Sequence, residues 1–270
     1  MTLSVALGPR LQTVASYVPK GSRLGDIGTD HAYLPIFLME SQQITQAVAV
    51  DVHAGPYQSA LSAVKGRGLE GDIDVRLGDG LMPLKAGEAN VLTLAGMGGR
   101  TMLDIFAARP DMLKDVSDLI VQPQGAEGTL RLELLEAGWR LKAEQLVEEE
   151  ERIYVVMAFA KETGQSMAEL LEREAVWGER LHPLFEKEAS SSDADFPGLV
   201  HKLVWDFGPL ILEEGQPLLL KLFDEYNGRL MRQKTQMEKS KSPEVIAKIR
   251  EVSVKMALVE GLRKWLFQLD

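Results

Sequence analysis

The stretch Leu24-Gly25-Asp26-Ile27-Gly28-Thr29-Asp30-His31-Ala32-Tyr33-Leu34-Pro35 most constrains what this chain can fold into. An apolar run ends in an acid and a glycine, and a helix-like segment follows without a spacer. That order reads as a buried strand turning directly into a helix. Asp30 is placed to cap the helix, offering its carboxylate to free N–H groups of the first turn. Gly28 lets the backbone pass close to a ligand, and the N–H groups behind it favour a polar group. Asp26 and Asp30, four residues apart, would repel a phosphate. They suit a ligand carrying positive charge and hydroxyls, as S-adenosylmethionine does through its sulfonium, ammonium and ribose. The dinucleotide fingerprint G-x-G-x-x-G is absent, and the glycine taken alone also fits a plain structural turn.

The segments that follow repeat the pattern. A short helix over Leu7–Tyr17 precedes strand one, which ends at Asp26. Ala32–Ser41 is helical, Gln46–Asp51 a second buried strand and Pro56–Lys65 another helix. Ile73–Leu77, Val91–Ala95 and Leu119–Gln122 are further strands. This βα alternation predicts an α/β, doubly wound, mostly parallel sheet covered by helices on both faces. After a helix around Leu130–Ala137 the rhythm changes. Leu141–Val147 and Ile153–Phe159 are close enough to form an antiparallel hairpin, with the acid run Glu148–Glu151 in its solvated turn and given no role. A parallel sheet closed by one such hairpin is the shape of the class I methyltransferase Rossmann-like fold.

Ligands of open α/β sheets gather at the carboxyl ends of the strands, and the unusual residues lie there. Asp51-Val52-His53 ends strand two, 23 positions beyond Gly28. A carboxylate there can accept both ribose hydroxyls of an adenosine, or can cap a helix. Strand three ends in Gly78-Asp79-Gly80-Leu81, where Asp79 could take an adenine amino group and Leu81 could flank the ring. Strand four ends in Ala95-Gly96-Met97-Gly98-Gly99, a loop poor in side chains that leaves room for a substrate base. Each has an ordinary structural explanation; their coincidence at successive strand ends carries the functional reading.

Asp26-Ile27-Gly28-Thr29-Asp30-His31-Ala32-Tyr33-Leu34-Pro35, with Ala95-Gly96-Met97-Gly98-Gly99, resembles the bacterial tRNA (adenine-N1)-methyltransferases acting on adenine 22, the TrmK family. The likeness covers roughly Met1–Thr163 and includes Arg10-Leu11 and Leu119–Pro123. The resemblance implies S-adenosylmethionine as donor, held by Asp26, Gly28, Asp30, His31, Tyr33, Asp51, Asp79 and the Gly96–Gly98 loop. Ala32, Leu34, Val52, Gly78, Gly80, Leu81, Ala95 and Met97 join that set as their immediate neighbours. Asp30 and His31 are the catalytic candidates: Asp30 to favour a cationic methylated base, His31 to orient the base or take a proton from its exocyclic amine. Tyr33 could stack on the base or pack beneath the donor. The resemblance also implies a C-terminal α-helical coiled-coil domain, so the chain divides at 1–163 and 164–270. Strand five continues Gln122-Pro123-Gln124 where the family carries asparagine after the proline.

The C-terminal portion can be read from its own pattern. Leu170–Leu184 is an amphipathic helix, and Ser190–Asp195 a polar loop. Phe223, Tyr226, Leu230 and Met237 fall at heptad-like spacing. After Ser240-Lys241-Ser242-Pro243, so do Val245, Ile249, Val252, Met256, Val259 and Leu266. Two antiparallel helices around a short connection follow. From Arg229 to Lys264 there are ten Lys or Arg against four Asp or Glu, a local excess of six in a chain of formal net charge −10. Arg232, Lys234, Lys239, Lys241, Lys248 and Lys255, with Arg10, are the candidates for contact with RNA phosphates. A solvated coiled-coil face is the plainer alternative.

Other classes narrow quickly. With no cysteine the chain has no disulfide, thiolate metal site or cysteine nucleophile, and no metal is expected. The N-terminus does not resemble a signal peptide, and no run approaches a membrane span. A cytoplasmic protein, monomeric or weakly dimeric, is expected. The alternatives are a methyltransferase of another RNA base or a small molecule, a nicotinamide-dependent oxidoreductase, and a non-catalytic coiled-coil scaffold that kept a nucleotide fold.

Overall fold

The computed structural model describes residues 5–188, 195–239 and 242–268. The chain divides into two compact units, Met1–Ser166 and Met167–Asp270.

In the first unit, helix α1 (Pro9–Tyr17) precedes β1 (Ser22–Ile27), α2 (Tyr33–Glu40), β2 (Ile44–Asp51), α3 (Ala54–Lys65) and β3 (Ile73–Leu77). Then come β4 (Val91–Met97), α4 (Gly99–Ala108), β5 (Asp118–Pro123), α5 (Glu127–Glu136), β6 (Arg140–Glu149) and β7 (Arg152–Ala160). The seven strands form one sheet in the order β3-β2-β1-β4-β5-β7-β6. β1 to β5 pair in parallel, and β7 joins antiparallel to both β5 and β6. The class I arrangement read from the sequence is therefore present, with its closing hairpin.

The parallel strands read as continuous apolar runs because helices cover both faces. Leu24, Ala49, Val91, Leu92, Leu94, Leu119, Ile120 and Val121 are wholly buried. The chain crosses from β1 to β2 and β3 on one side, then returns to place β4 on the other. The resulting switch point between β1 and β4 opens a crevice at their carboxyl ends.

The β6–β7 turn is tighter than the sequence suggested. Glu149 pairs with Arg152 in register, leaving a two-residue loop. Glu150 and Glu151 have φ of 49° and 61°, the backbone that such hairpin loops demand of both central residues. Glu148 and Glu149 thus belong to β6 rather than to the turn.

The second unit holds α6 (Met167–Glu188), α7 (Phe196–Phe207), α8 (Pro209–Glu214), α9 (Leu219–Met237) and α10 (Pro243–Phe267). Asp195 and Ser242 cap α7 and α10, accepting from Gly198 N and Val245 N. The remainder of the polar loop, 190–194, lies outside the described residues. Arg263, near the end of α10, donates to Asp224, near the start of α9, at 2.7 Å, so these two helices run antiparallel. α10 also packs on α6. That second contact explains why Val254, Leu258 and Leu262, off the heptad stripe, are buried beside Val252 and Val259. The hairpin is thus part of a small bundle rather than a free-standing arm. Among the described residues, no helix is long and apolar enough to cross a membrane.

Candidate active site

Strands β1 and β4 deliver the central acid. Asp26 and Thr93 are register partners, and the Thr93 hydroxyl donates to Asp26 Oδ1 at 2.7 Å. The Thr29 hydroxyl donates to Asp26 Oδ2 at 2.6 Å. Burial raises the Asp26 pKa above the ordinary carboxylate value; the two hydroxyls oppose that rise, and the neighbouring charge of Asp51 adds to it. Thr29 and Thr93 were missed in the sequence: Thr93 lies inside β4, where a threonine reads as packing, and Thr29 stands in the turn after β1.

The chain leaves β1 through three left-handed residues: Gly28 (φ 79°), Asp30 (φ 51°) and Ala32 (φ 55°). The N–H groups of Gly28 and Thr29 donate to Val50 O at 2.8 and 3.0 Å, tying the turn to β2. A Cβ on Gly28 would sit 2.8 Å from Met97 Cε, so both conformation and space favour glycine here. The expected cap is not made. Ala32, not Asp30, is the residue preceding α2, and no side chain caps that helix. The left-handed Ala32 displaces the helix start by two residues, which leaves the Asp30 side chain 70 % exposed.

His31 lies beside it, Nε2 at 3.6 Å from Asp30 Oδ1. Its ring stacks on Tyr33 with centroids 5.1 Å apart and planes inclined by 16°. One face of Tyr33 is therefore taken by His31, while the residue as a whole remains 45 % exposed.

These groups line a cavity of about 310 Å³ together with Arg10, Leu11, Leu34, Ala95, Gly96 and Gln124. The sequence candidates Asp26, Gly28, Asp30, His31, Tyr33, Leu34, Ala95 and Gly96 are thus brought together. Asp51 stands next to them: its Oδ2 accepts from Asp30 N at 3.3 Å and its Oδ1 from His53 N at 2.8 Å. Gly78 N in turn donates to Asp51 O at 2.9 Å, which sets the end of β3 beside the end of β2.

Other candidates fall outside that cavity. Val52 is exposed at the end of β2, as are Leu77 and Met82 around the end of β3; the last two were not anticipated. Asp79 is exposed. Leu81 is 1 % exposed, closed off from the strand end where it was expected to flank a ring. Gly80 backs onto Ile105, whose atoms would lie 3.0 Å from an added Cβ. Ala32 is buried. Met97 and Gly98 lead into α4, with Gly98 preceding its first residue.

Arg10, expected among the contacts to RNA phosphates, lies in the wall of this cavity. Its Nε donates to Glu149 Oε2 at 3.1 Å, its Nη1 to Gln122 Oε1 at 2.7 Å, and its backbone N to Glu149 Oε1 at 3.3 Å. Glu149, an acid to which the sequence assigned no role, therefore fixes a residue of the site. The pairing spans 139 positions, which no local pattern reveals.

On the second unit, Arg232, Lys239 and Lys248 are exposed and Lys234 is half-exposed. Lys255 departs from the expected open face: it is paired with Glu251 one turn earlier. Lys241 lies outside the described residues. A larger cavity of about 540 Å³ lies between α6 and α7. Its Glu174 is already engaged by Trp205 Nε1 at 2.6 Å and His201 Nδ1 at 3.0 Å, so the strand-end cavity, with the exposed carboxylate of Asp30, is the better candidate for chemistry. No cluster of three or more metal-ligating side chains occurs among the described residues.

Residues 7–157 match the family described as "Methyltransferase domain". The tRNA (adenine(22)-N(1))-methyltransferase of Bacillus subtilis is 40 % identical over 151 residues, covering 56 % of this chain and 63 % of that protein. The chain therefore aligns with somewhat under two thirds of that relative's length. The crystal structure of the B. subtilis M1A22 tRNA methyltransferase TrmK superposes with a TM-score of 0.74 at 27 % identity, covering 96 % of this chain and 99 % of that one. A candidate tRNA (m1A22) methyltransferase of Streptococcus pneumoniae, in complex with S-adenosyl-L-methionine, gives 0.70 at 29 % identity, with 93 % and 100 % covered. The chain belongs to the family of methyltransferase domains. Within that class it is similar to the bacterial tRNA (adenine(22)-N(1))-methyltransferases just described.

Proposed function

We propose that this protein transfers a methyl group from S-adenosylmethionine to N1 of adenine 22 in tRNA. The observation that carries the reading is the cavity at the β1/β4 switch point, where Asp26, Asp30 and His31 converge. The residues fit the donor. Gly28 leaves backbone room, Asp26 and Asp30 suit its cationic groups, and Asp51 retains acceptor capacity for ribose hydroxyls beyond the two N–H groups it holds. Val52, Leu77 and Met82 offer apolar surface for an adenine ring. The relatives favour this reading over the oxidoreductase and scaffold alternatives.

When bound, the donor supplies an electrophilic methyl on sulfur. Adenine N1 already holds a lone pair near neutral pH, so the site needs no strong base. Its main task is in-line placement of the nucleophile about 3 Å from the methyl carbon. Asp30, exposed and free of a capping bond, faces the positive charge that develops on the methylated base. His31, held in plane by Tyr33, orients the base edge. N1 lies on the Watson–Crick edge, so the target base must leave its stack to enter. Asp26, Gly28, Asp51, Val52, Asp79 and the Gly96–Gly98 loop hold the donor. Arg232, Lys234, Lys239 and Lys248 track phosphates and position the tRNA without reading its sequence. Such a substrate places the enzyme in the cytoplasm.

The reading is tested with two unmodified tRNA transcripts that differ only at position 22. Transfer to the adenine-22 transcript and none to its guanine-22 counterpart supports it. Equal transfer to both removes adenine 22 as the target.

A further inference from the structure

The cavity wall contains a charge that the proposed mechanism does not use. Arg10 is the one arginine or lysine lining it among the described residues. Two of its three guanidinium nitrogens are committed: Nε to Glu149 Oε2 at 3.1 Å and Nη1 to Gln122 Oε1 at 2.7 Å. The guanidinium also lies 5.6 Å from the centroid of the Tyr154 ring. Nη2 has no hydrogen-bond partner among the described residues, and the side chain keeps 21 % exposure.

The committed bonds form a chain of supports. Gln122 is wholly buried. Its Oε1 accepts from both Arg10 Nη1 and Gly96 N, the latter at 3.1 Å, and its Nε2 donates to Pro123 O at 2.8 Å. One amide thus couples the guanidinium to Gly96 near the end of β4. Glu149, on β6, holds the other side of the fork and the Arg10 backbone N–H. A planar fork fixed at two nitrogens presents the third in a set direction.

We propose that Arg10 is a positioning residue whose Nη2 binds an anionic oxygen of a bound substrate. This rests on the methyltransferase reading above. Two such oxygens enter that site: the methionine carboxylate of the donor and a phosphodiester of the acceptor nucleotide. The methylated base is excluded as the partner, because it becomes cationic and a guanidinium would repel it. Glu149 offsets the Arg10 charge, so the cation sits near a sulfonium without opposing it. Gln122 transmits the same placement to Gly96.

The test has two arms and uses the full chain. In the first, calorimetry compares S-adenosylmethionine with its decarboxylated analogue for wild type, Arg10→Met and Arg10→Lys. If the carboxylate is the partner, wild type prefers the complete donor by roughly tenfold or more, the size of one charge-assisted hydrogen bond. Arg10→Met then abolishes the preference. Arg10→Lys does not restore it, since one ammonium cannot hold Glu149 and Gln122 and still present a directed donor. In the second arm, methylphosphonates replace the phosphates flanking the methylated nucleoside. If a phosphate is the partner, wild type slows by about tenfold and Arg10→Met loses nothing further on that substrate.

Coupling in either arm supports the proposal and identifies the oxygen. Absence of coupling in both arms overturns it and leaves Arg10 as a support for the fold. Glu149→Gln, which keeps an acceptor for Arg10, serves if the Arg10 variants do not fold; it should reduce the same preference in part, and an undiminished preference counts against the proposal. The donor arm needs no RNA. A protein that binds the donor and shows the Arg10 coupling, yet methylates no tRNA, would contradict the proposed function while leaving this inference standing.

Discussion

Asp26 and Thr93 face each other across the β1–β4 pair, and the Thr93 hydroxyl donates to the Asp26 carboxylate at 2.7 Å. This pairing sits at the topological switch point and marks an acid held where its charge is costly. Burial raises its pKa above the ordinary value of an aspartate. In the pH interval between the unfolded and the raised folded value, the native state binds more protons than the unfolded one. Stability therefore falls as pH rises through that interval and stays lower above it. Asp26→Asn removes the penalty. Its unfolding midpoint at neutral pH should rise, by about 2–4 °C for each kcal/mol recovered, while affinity for S-adenosylmethionine falls. Thermal unfolding and calorimetry on the same variant check both; a lowered midpoint would show that the carboxylate is structural.

Asp30 offers the contrasting case. Its side chain makes no cap and is 70 % exposed, so Asp30→Ala should leave stability within about 0.5 kcal/mol. Turnover should drop by roughly 10²–10³, the range for losing one group that stabilises developing charge. Near-normal methylation would remove Asp30 from the mechanism.

Arg131 and Glu144 form an ion pair whose side chains are both wholly buried. Arg131→Met leaves the glutamate charge without its partner inside the first unit, at a cost of about 3–5 kcal/mol. Adding Glu144→Leu should recover most of that loss, because an apolar pair of similar volume needs no counter-charge. Urea denaturation of the two variants measures it, and a double variant no better than the single one would contradict the account.

The basic residues of the second unit should act on RNA alone. Reversing Arg232, Lys239 and Lys248 to Glu should weaken tRNA binding. The slope of log affinity against log salt should flatten by about one for each phosphate that is no longer neutralised. Donor affinity should not change. Unaltered tRNA affinity would return α9 and α10 to a purely structural role.

The sequence disclosed what depends on local pattern. Continuous apolar runs ending in Asp26, Asp51 and Gly78 located three strand ends, because a parallel sheet writes its ligand face at those positions. The hairpin was legible from the few residues between its strands. What stayed hidden depends on distant partners or on backbone conformation. Asp30 has the composition of a cap, but the left-handed Ala32 moved the helix start beyond its reach. Glu149 looked like one more acid in a solvated run, yet it holds Arg10 from 139 residues away. α7 and α8 were not anticipated, although Leu199, Val200, Leu203, Val204 and Phe207 fall at helical spacing and His201, Lys202 and Asp206 form the opposite polar face of α7. α10 packs on two helices, so a single heptad stripe captured Val252 and Val259 but not the buried Val254, Leu258 and Leu262.

The most direct measurement incubates the protein with methyl-labelled S-adenosylmethionine and bulk bacterial tRNA, digests the product and identifies the labelled nucleoside. Label in 1-methyladenosine is the predicted result and establishes donor, substrate class and atom together. Label in another nucleoside, or none while the donor still binds, would contradict the account.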